Sequence, residues 1–387
     1  MDTSNFTDNS PGILVPTDEG VLAFVPYPLP PTIDLTDTLV DQLSASMESV
    51  GELRGAAFLI QNADYLTRPL ISREALASSR IEGTIASAEQ LALFTADEAF
   101  ERDQPTVREV SNYAQALKYG IDRLSDLPVS LRLIRELHEQ LLRGVRGGDT
   151  SVGEFRTGQN WIGRSARTPI GEARFVPCPQ SHLNRCLNQF EEFVGNGDHS
   201  RVLIDLALIH YQFETIHPFE DGNGRVGRLI TTLLMAEWGL MPQPFLHLSS
   251  YFEEYRNDYI DLLLEVSLSG RWEEWISFYL TAVQSQATDA LKRVKKLLDL
   301  REQLRALVQT ARSSALLVQL VDQLFIVPGL TIPIAADILG VTYRAAANNV
   351  EKLIELGILI ETTAMSFRAR AFISRPILDV VQDESVE

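Results

Sequence analysis

A histidine, a carboxylate, a glycine turn and two arginines fall within twelve consecutive positions: His217, Asp221, Gly222-Asn223-Gly224, Arg225 and Arg228. Apolar residues at Val226, Leu229, Ile230, Leu233 and Leu234 then recur with a helical period, so the turn feeds a helix. Backbone N–H groups at such a start point outward at the positive end of the helix dipole and form an anion site. Arg225 and Arg228 lie three apart on that first turn, where a cation opposes the dipole by about 0.3–1 kcal/mol. Two arginines in this place imply an anion that receives them. A phosphate chain suits, because guanidinium groups meet phosphate oxygens in pairs. Asp221 can hold Mg²⁺ against that phosphate, and His217 is a candidate base for a hydroxyl arriving from the other side. A glycine-capped turn with surface arginines is the competing reading.

The run His217-Pro218-Phe219-Glu220-Asp221-Gly222-Asn223-Gly224-Arg225-Val226-Gly227-Arg228 resembles the signature of Fic domains, H-P-F-x-D/E-G-N-G-R-x-x-R, at every fixed position. The resemblance implies a transferase that moves a nucleoside monophosphate, usually AMP from ATP, onto a hydroxyl side chain of a target protein. It assigns His217 as the base, Asp221 to Mg²⁺, and Gly222, Asn223, Gly224, Arg225 and Arg228 to the nucleotide phosphates. Phe219 is expected in the core and Asn223 is expected to shape the turn.

Further upstream, Ser78-Ser79-Arg80-Ile81-Glu82-Gly83 resembles the S/T-x-x-x-E-G/N inhibitory motif of one Fic subclass. By that likeness Glu82 pairs with Arg228 and blocks productive seating of the γ-phosphate. Ser78 stands four residues before Glu82, on the same helix face. Glu82 could also orient water for removing AMP. Tyr259, with Tyr251 behind it, is the match for an aromatic wall on which the nucleobase stacks. Where some relatives carry an asparagine near the end of that helix, this chain has Val266, which leaves the choice of base open.

The elements that must position these groups read as mainly α. A flexible tail is expected over 1–25, followed by an extended proline strap from Pro26 to Pro31. Residues 26–105 form an N-terminal helical region with one helix over Leu35–Leu59 and another capped by Ser72 and ended at Gly83. The Fic-type catalytic core is expected over 106–287. Within it, Val202–Thr215 is apolar on all sides and reads as a buried central helix. His138 and His210 read as packing histidines. Two short β-type runs between Phe155 and Pro177 predict a hairpin, and in Fic proteins such a flap docks the target by strand addition. Arg164, Arg167 and Arg174 give it local positive charge. A helical linker over 288–327 leads to 328–387, where a helix, a turn at Gly340-Val341, a second helix and two strands predict a winged helix.

Composition bounds the partners. The chain has 387 residues and 34 Lys and Arg against 52 Asp and Glu, a formal charge of −18. Such a chain repels the DNA backbone unless a basic patch intervenes. Over 331–360, Arg344 and Lys352 face Asp337, Glu351 and Glu355, so dimerisation or protein docking stands beside DNA binding as the role of the last domain. A nucleotide-responsive, DNA-binding regulator is the rival function, and transfer of another phosphate-containing group is the rival chemistry. No eighteen-residue apolar run predicts a membrane span. Cys178 and Cys186 form no disulfide framework or metal spacing, and a reducing cytoplasm is the expected compartment.

Overall fold

A computed structural model of the chain describes all residues except 59, 61, 98–103, 146–150, 164, 166, 311–314, 364–369 and 383–387. In chain order the elements begin with β1 (Gly12–Pro16), β2 (Leu22–Pro26), α1 (Asp37–Phe58), α2 (Asp64–Ile81) and α3 (Ala88–Ala96). Next come α4 (Pro105–Arg123), α5 (Leu131–Leu142), α6 (Gln180–Asn196), α7 (Val202–Ile216) and α8 (Asn223–Glu237). The remainder are α9 (Ser249–Glu254), α10 (Arg256–Ser269), α11 (Trp272–Thr310), α12 (Ala315–Ile326), β3 (Gly329–Thr331), α13 (Ile332–Leu339), α14 (Tyr343–Glu355), β4 (Ile360–Thr362), β5 (Ala371–Ile373) and α15 (Arg375–Gln382). The chain divides into two units, one of Met1–Val50, Gln115–Pro242 and Tyr251–Ser285, the other of Gly51–Ala114, Gln243–Ser250 and Gln286–Glu387.

The first unit is built around α7. Leu203, Leu206, Ala207, Ile209, Tyr211 and Phe213 of this helix are all fully buried, as a helix apolar on every side must be. It packs against α6, α8 and α10, and α8 in turn packs against α5. The approach of α7 and α8 is close at Gly227, where a Cβ would stand 2.5 Å from Glu214 Oε1 and 3.2 Å from Phe213 Cδ1. Residues 1–25 do not form a loose tail. β1 and β2 pair antiparallel, with Leu14 opposite Phe24, and Ala23, Phe24 and Val25 are buried. Phe24 N–H donates to Val176 O at 2.9 Å, and the polar Thr7 and Ser10 bond the carbonyls of Leu268 and Ser267. The turn-forming residues that suggested disorder serve a hairpin that covers the unit.

Among the described residues, the hairpin expected between Phe155 and Pro177 is reduced to one antiparallel bridge, Ile162 with Phe175. Pro169 and Pro177 lack donors for a longer ladder, and Ile170–Glu172 turns as a 3₁₀ helix. Side chains tie the loop instead: Trp161 Nε1 donates to Thr168 O at 2.7 Å, and Thr168 Oγ1 accepts from Ser165 N at 3.1 Å. Arg174 is paired with Asp261, Arg167 is exposed, and Arg164 lies outside the described residues.

In the second unit α2 starts eight residues before Ser72, so Ser72 is interior and returns its hydroxyl to Arg68 O at 3.1 Å. The apolar set Leu66, Pro69 and Leu70 is buried and extends the helix past the serine that looked like a cap. A buried carboxylate pins this helix: Glu74 accepts from Tyr113 Oη at 2.8 Å and from Ser249 Oγ at 2.5 Å. At the C-terminal end, α13 closes on Gly340 in the left-handed region and α14 is capped by Thr342. β5 pairs antiparallel with both β3 and β4, so a helix-turn-helix is followed by strands of a three-stranded sheet, the arrangement expected of a winged helix.

Candidate active site

The signature occupies the break between α7 and α8. α7 ends at His217, whose backbone turns left-handed at φ 50° and ψ 61°. α8 begins behind Gly222, also left-handed at φ 82° and with no side-chain cap. Four residues therefore reverse the chain, and the carbonyls of His217, Pro218 and Phe219 in the reversal each have a partner. Arg156 Nε and Asn160 Nδ2 donate to His217 O at 3.0 and 3.1 Å. Arg156 N donates to Pro218 O at 2.9 Å. Asn223 spans the loop, accepting from Phe219 N and donating to Phe219 O, both at 2.8 Å.

His217 is half-buried. Its Nδ1 lies 3.2 Å from Glu214 O, and a carbonyl can only accept, so the proton sits on Nδ1 and Nε2 is the basic nitrogen. Arg225 and Arg228 are each only 4 % exposed, which places two buried guanidinium groups on the first turn of α8, where the helix dipole already repels cations. Arg225 Nη2 stands 3.4 Å from both carboxylate oxygens of Asp221. The Asp221 side chain is 74 % exposed and accepts from Gly222 N at 2.6 Å. An accessible hard-oxygen donor beside a helix start suits Mg²⁺, which keeps one or two carboxylates and takes the rest of its shell from phosphate and water.

Tyr259 departs from its expected place. Tyr259 is 3 % exposed, its ring stacked on Phe252 at 4.6 Å and its hydroxyl 2.8 Å from His210 Nε2. A nucleobase cannot stack on a ring that both neighbours already cover, so Tyr259 is a core residue. Tyr251 is half-buried and its ring meets Tyr255 at 4.5 Å and Phe278 at 5.3 Å; this pair is the accessible aromatic surface of α9 and α10. Asn223 shapes the turn as expected, its side chain directed into the loop. Ser78 is buried within α2 and Glu82 is its exposed C-cap residue.

Three residues that hold the loop were not assigned to it by sequence, which reads His138 as a packing histidine. His138, on the buried face of α5, stacks on Phe219 with ring centres 3.8 Å apart and 9° between planes. Its Nδ1 accepts from Gly153 N at 3.0 Å and its Nε2 lies 3.1 Å from Asp221 O. Burial, aided by the positive Arg225, pushes its pKa down to about 4. Arg156 and Asn160 were legible only as polar residues in the flap. The available signal was a histidine on the apolar stripe of α5; in a flap rich in polar residues nothing set Arg156 and Asn160 apart.

Two family models match the chain, one described as Fic/DOC family N-terminal over residues 40–122 and one as Fic/DOC family over 128–235. The chain is a Fic domain protein. The second match contains the whole signature together with His138, Arg156 and Asn160, and the first contains Glu82. A "Probable protein adenylyltransferase" of Aquifex aeolicus is 28% identical to this Fic protein over 199 residues, 50% of this chain and 55% of the relative. The "Protein adenylyltransferase Fic" of Drosophila virilis is 33% identical over 138 residues, 35% of this chain and 26% of that one. The chain thus spans about half the length of the first relative and about a quarter of the second. Among solved structures, a Fic family protein from Desulfovibrio desulfuricans shares the fold at a TM-score of 0.56 and 21% identity, covering 90% of this chain and 99% of its own.

Proposed function

We propose that this Fic protein is a protein adenylyltransferase that moves AMP from ATP to a Ser, Thr or Tyr hydroxyl of a target protein or of itself. The observation that carries this reading is the juxtaposition within one loop of a histidine with its basic nitrogen defined and a helix start carrying two buried arginines. The relatives named as adenylyltransferases support it. His217 Nε2 takes the hydroxyl proton as the oxygen attacks the α-phosphorus. The bond to the β,γ-diphosphate breaks, and pyrophosphate leaves with the electron pair. With Gly222 supplying the left-handed turn into the helix, the N–H groups of Asn223 and Gly224 and the cations of Arg225 and Arg228 stabilise the charge on the phosphates, the larger share of catalysis in such transfers. Mg²⁺ held by Asp221 would supply further neutralisation of phosphate charge when bound.

The segment 155–177 presents the target backbone beside His217 by strand addition. Glu82 acts as a brake: by the motif it shares with inhibited Fic proteins, it competes with the γ-phosphate for Arg228, and it can also orient water for AMP removal. The C-terminal helix-turn-helix unit serves dimerisation or docking, in keeping with the acidic balance of residues 331–360.

Incubation with labelled ATP tests the core of this reading. Replacing His217 by Ala lowers incorporation about 10²–10⁴-fold, and wild-type labelling by that variant overturns the assignment. Mass spectrometry of the modified protein, supplied with a nucleotide mixture, identifies the transferred group. Replacing Glu82 by Gly raises self-labelling above wild type; equal labelling of both proteins removes the brake from the scheme. Loss of label from pre-modified protein only when Glu82 is present assigns the reverse reaction.

A further inference from the structure

We propose that His138 is a positioning residue for the nucleotide half of the site, acting through the main chain of Asp221; the proposal rests on the transferase reading above. The signature loop is held at two separate points. Arg156 and Asn160 grip the carbonyls of His217 and Phe219 and so set the catalytic histidine. His138 grips the other end, at Asp221 O.

The peptide between Asp221 and Gly222 is pinned on both sides. Its carbonyl faces His138 Nε2 at 3.1 Å, and its N–H donates to Asp221 Oδ1 at 2.6 Å. This peptide leads directly into Asn223, the first residue of α8. Rotating it would swing the Asp221 carboxylate and re-aim the first N–H groups of the helix together. The carboxylate and the phosphate-facing amides therefore share one hinge, and His138 locks it.

The lock is specific in its chemistry. Gly153 N–H requires an acceptor at Nδ1, and Asp221 O requires a donor at Nε2. A neutral imidazole protonated on Nε2 meets both demands at once. The stack on Phe219 fixes the ring plane, so the donor can point only at that carbonyl.

Two amide replacements separate this role from plain packing. Asparagine reproduces the δ position and can still accept from Gly153, but its amide stops short of Asp221. Glutamine reaches the ε position and can donate to Asp221 O. Both lose the ring, so a general loss of packing affects them alike. The measurement is the Kd of a non-hydrolysable ATP analogue with Mg²⁺ for the full chain, beside kcat for self-labelling at saturating ATP. His138→Asn is expected to raise Kd about 5- to 10-fold, the worth of one hydrogen bond, with a smaller loss in kcat, and His138→Gln to recover most of it. Asn160→Ala, at the other grip, is expected to lose kcat rather than affinity. Equal Kd values for the Asn and Gln variants, or a His138→Asn loss carried by kcat alone, overturn the positioning role. A wild-type chain that fails to bind the analogue overturns the transferase reading itself.

Discussion

At the scale of single residues, the active loop stores and offsets strain. His217 sits in the left-handed region, where an L-residue costs roughly 1–2 kcal/mol. The two donors on its carbonyl, each worth about 0.5–1.5 kcal/mol, offset that cost. Asn223 contributes in another way, by standing in for a strand partner to Phe219. Replacing Asn223 by Ala leaves Phe219 N–H buried without its acceptor while Phe219 O keeps Asn160. An orphaned buried donor costs about 1–3 kcal/mol, so a clear drop in thermal midpoint and weaker labelling are expected. A variant that melts and labels like wild type would show the loop to be held by other means. That these residues share one loop was readable, because histidine, acid, glycine and arginine in fixed spacing have few joint uses. Their supports were not, since His138 reaches the loop from α5 and Arg156 from the flap, across separations that spacing along the chain does not encode.

At the scale of elements, periodicity located the helices well and failed where local chemistry misled. α7 and α8 follow from their apolar stripes, and α13, its glycine stop and α14 follow from theirs. α2 was placed too late because Ser72 resembles a cap, whereas the apolar set before it, including Pro69, is buried in helix. β1 and β2 were missed because Gly12, Pro16, Gly20 and Pro26 read as disorder in isolation; only burial against residues near 176 gives that short ribbon its reason to form. The flap erred in the opposite direction. β-prone residues predicted a ladder, and two prolines with a 3₁₀ turn leave one bridge. Tyr259 shows the same limit for function: a tyrosine on α10 can face either way, and the acceptor for its hydroxyl, His210, belongs to α7.

At the scale of the whole molecule, buried neutral histidines set how the protein meets acid. Burial pushes His210 down to about 3, with Arg228 adding to the effect, and His138 to about 4. Burial lowers His247 as well. An unfolded histidine takes its proton near pH 6.5. Between that value and the folded pKa the unfolded chain binds more protons than the native one, so stability rises with pH across this window. The contribution is fully present above about pH 6.5 and is lost as pH falls toward 4, on the order of 3 kcal/mol for a shift the size of that at His138. Asp205, whose carboxyl burial raises, works against this only near the carboxylate range. Between pH 6.5 and 5.5 carboxylates scarcely titrate, and the histidines dominate. Thermal midpoints of the full chain are therefore expected to hold steady from pH 8 to 7 and to fall through 6.5, 6.0 and 5.5. Replacing His210 by Gln, whose side-chain carbonyl keeps an acceptor for the Tyr259 hydroxyl without a titrating ring, should flatten that slope even if the midpoint at pH 7.5 is lower. A wild-type midpoint independent of pH across 7.0 to 5.5 would remove the buried histidines as the source of acid sensitivity.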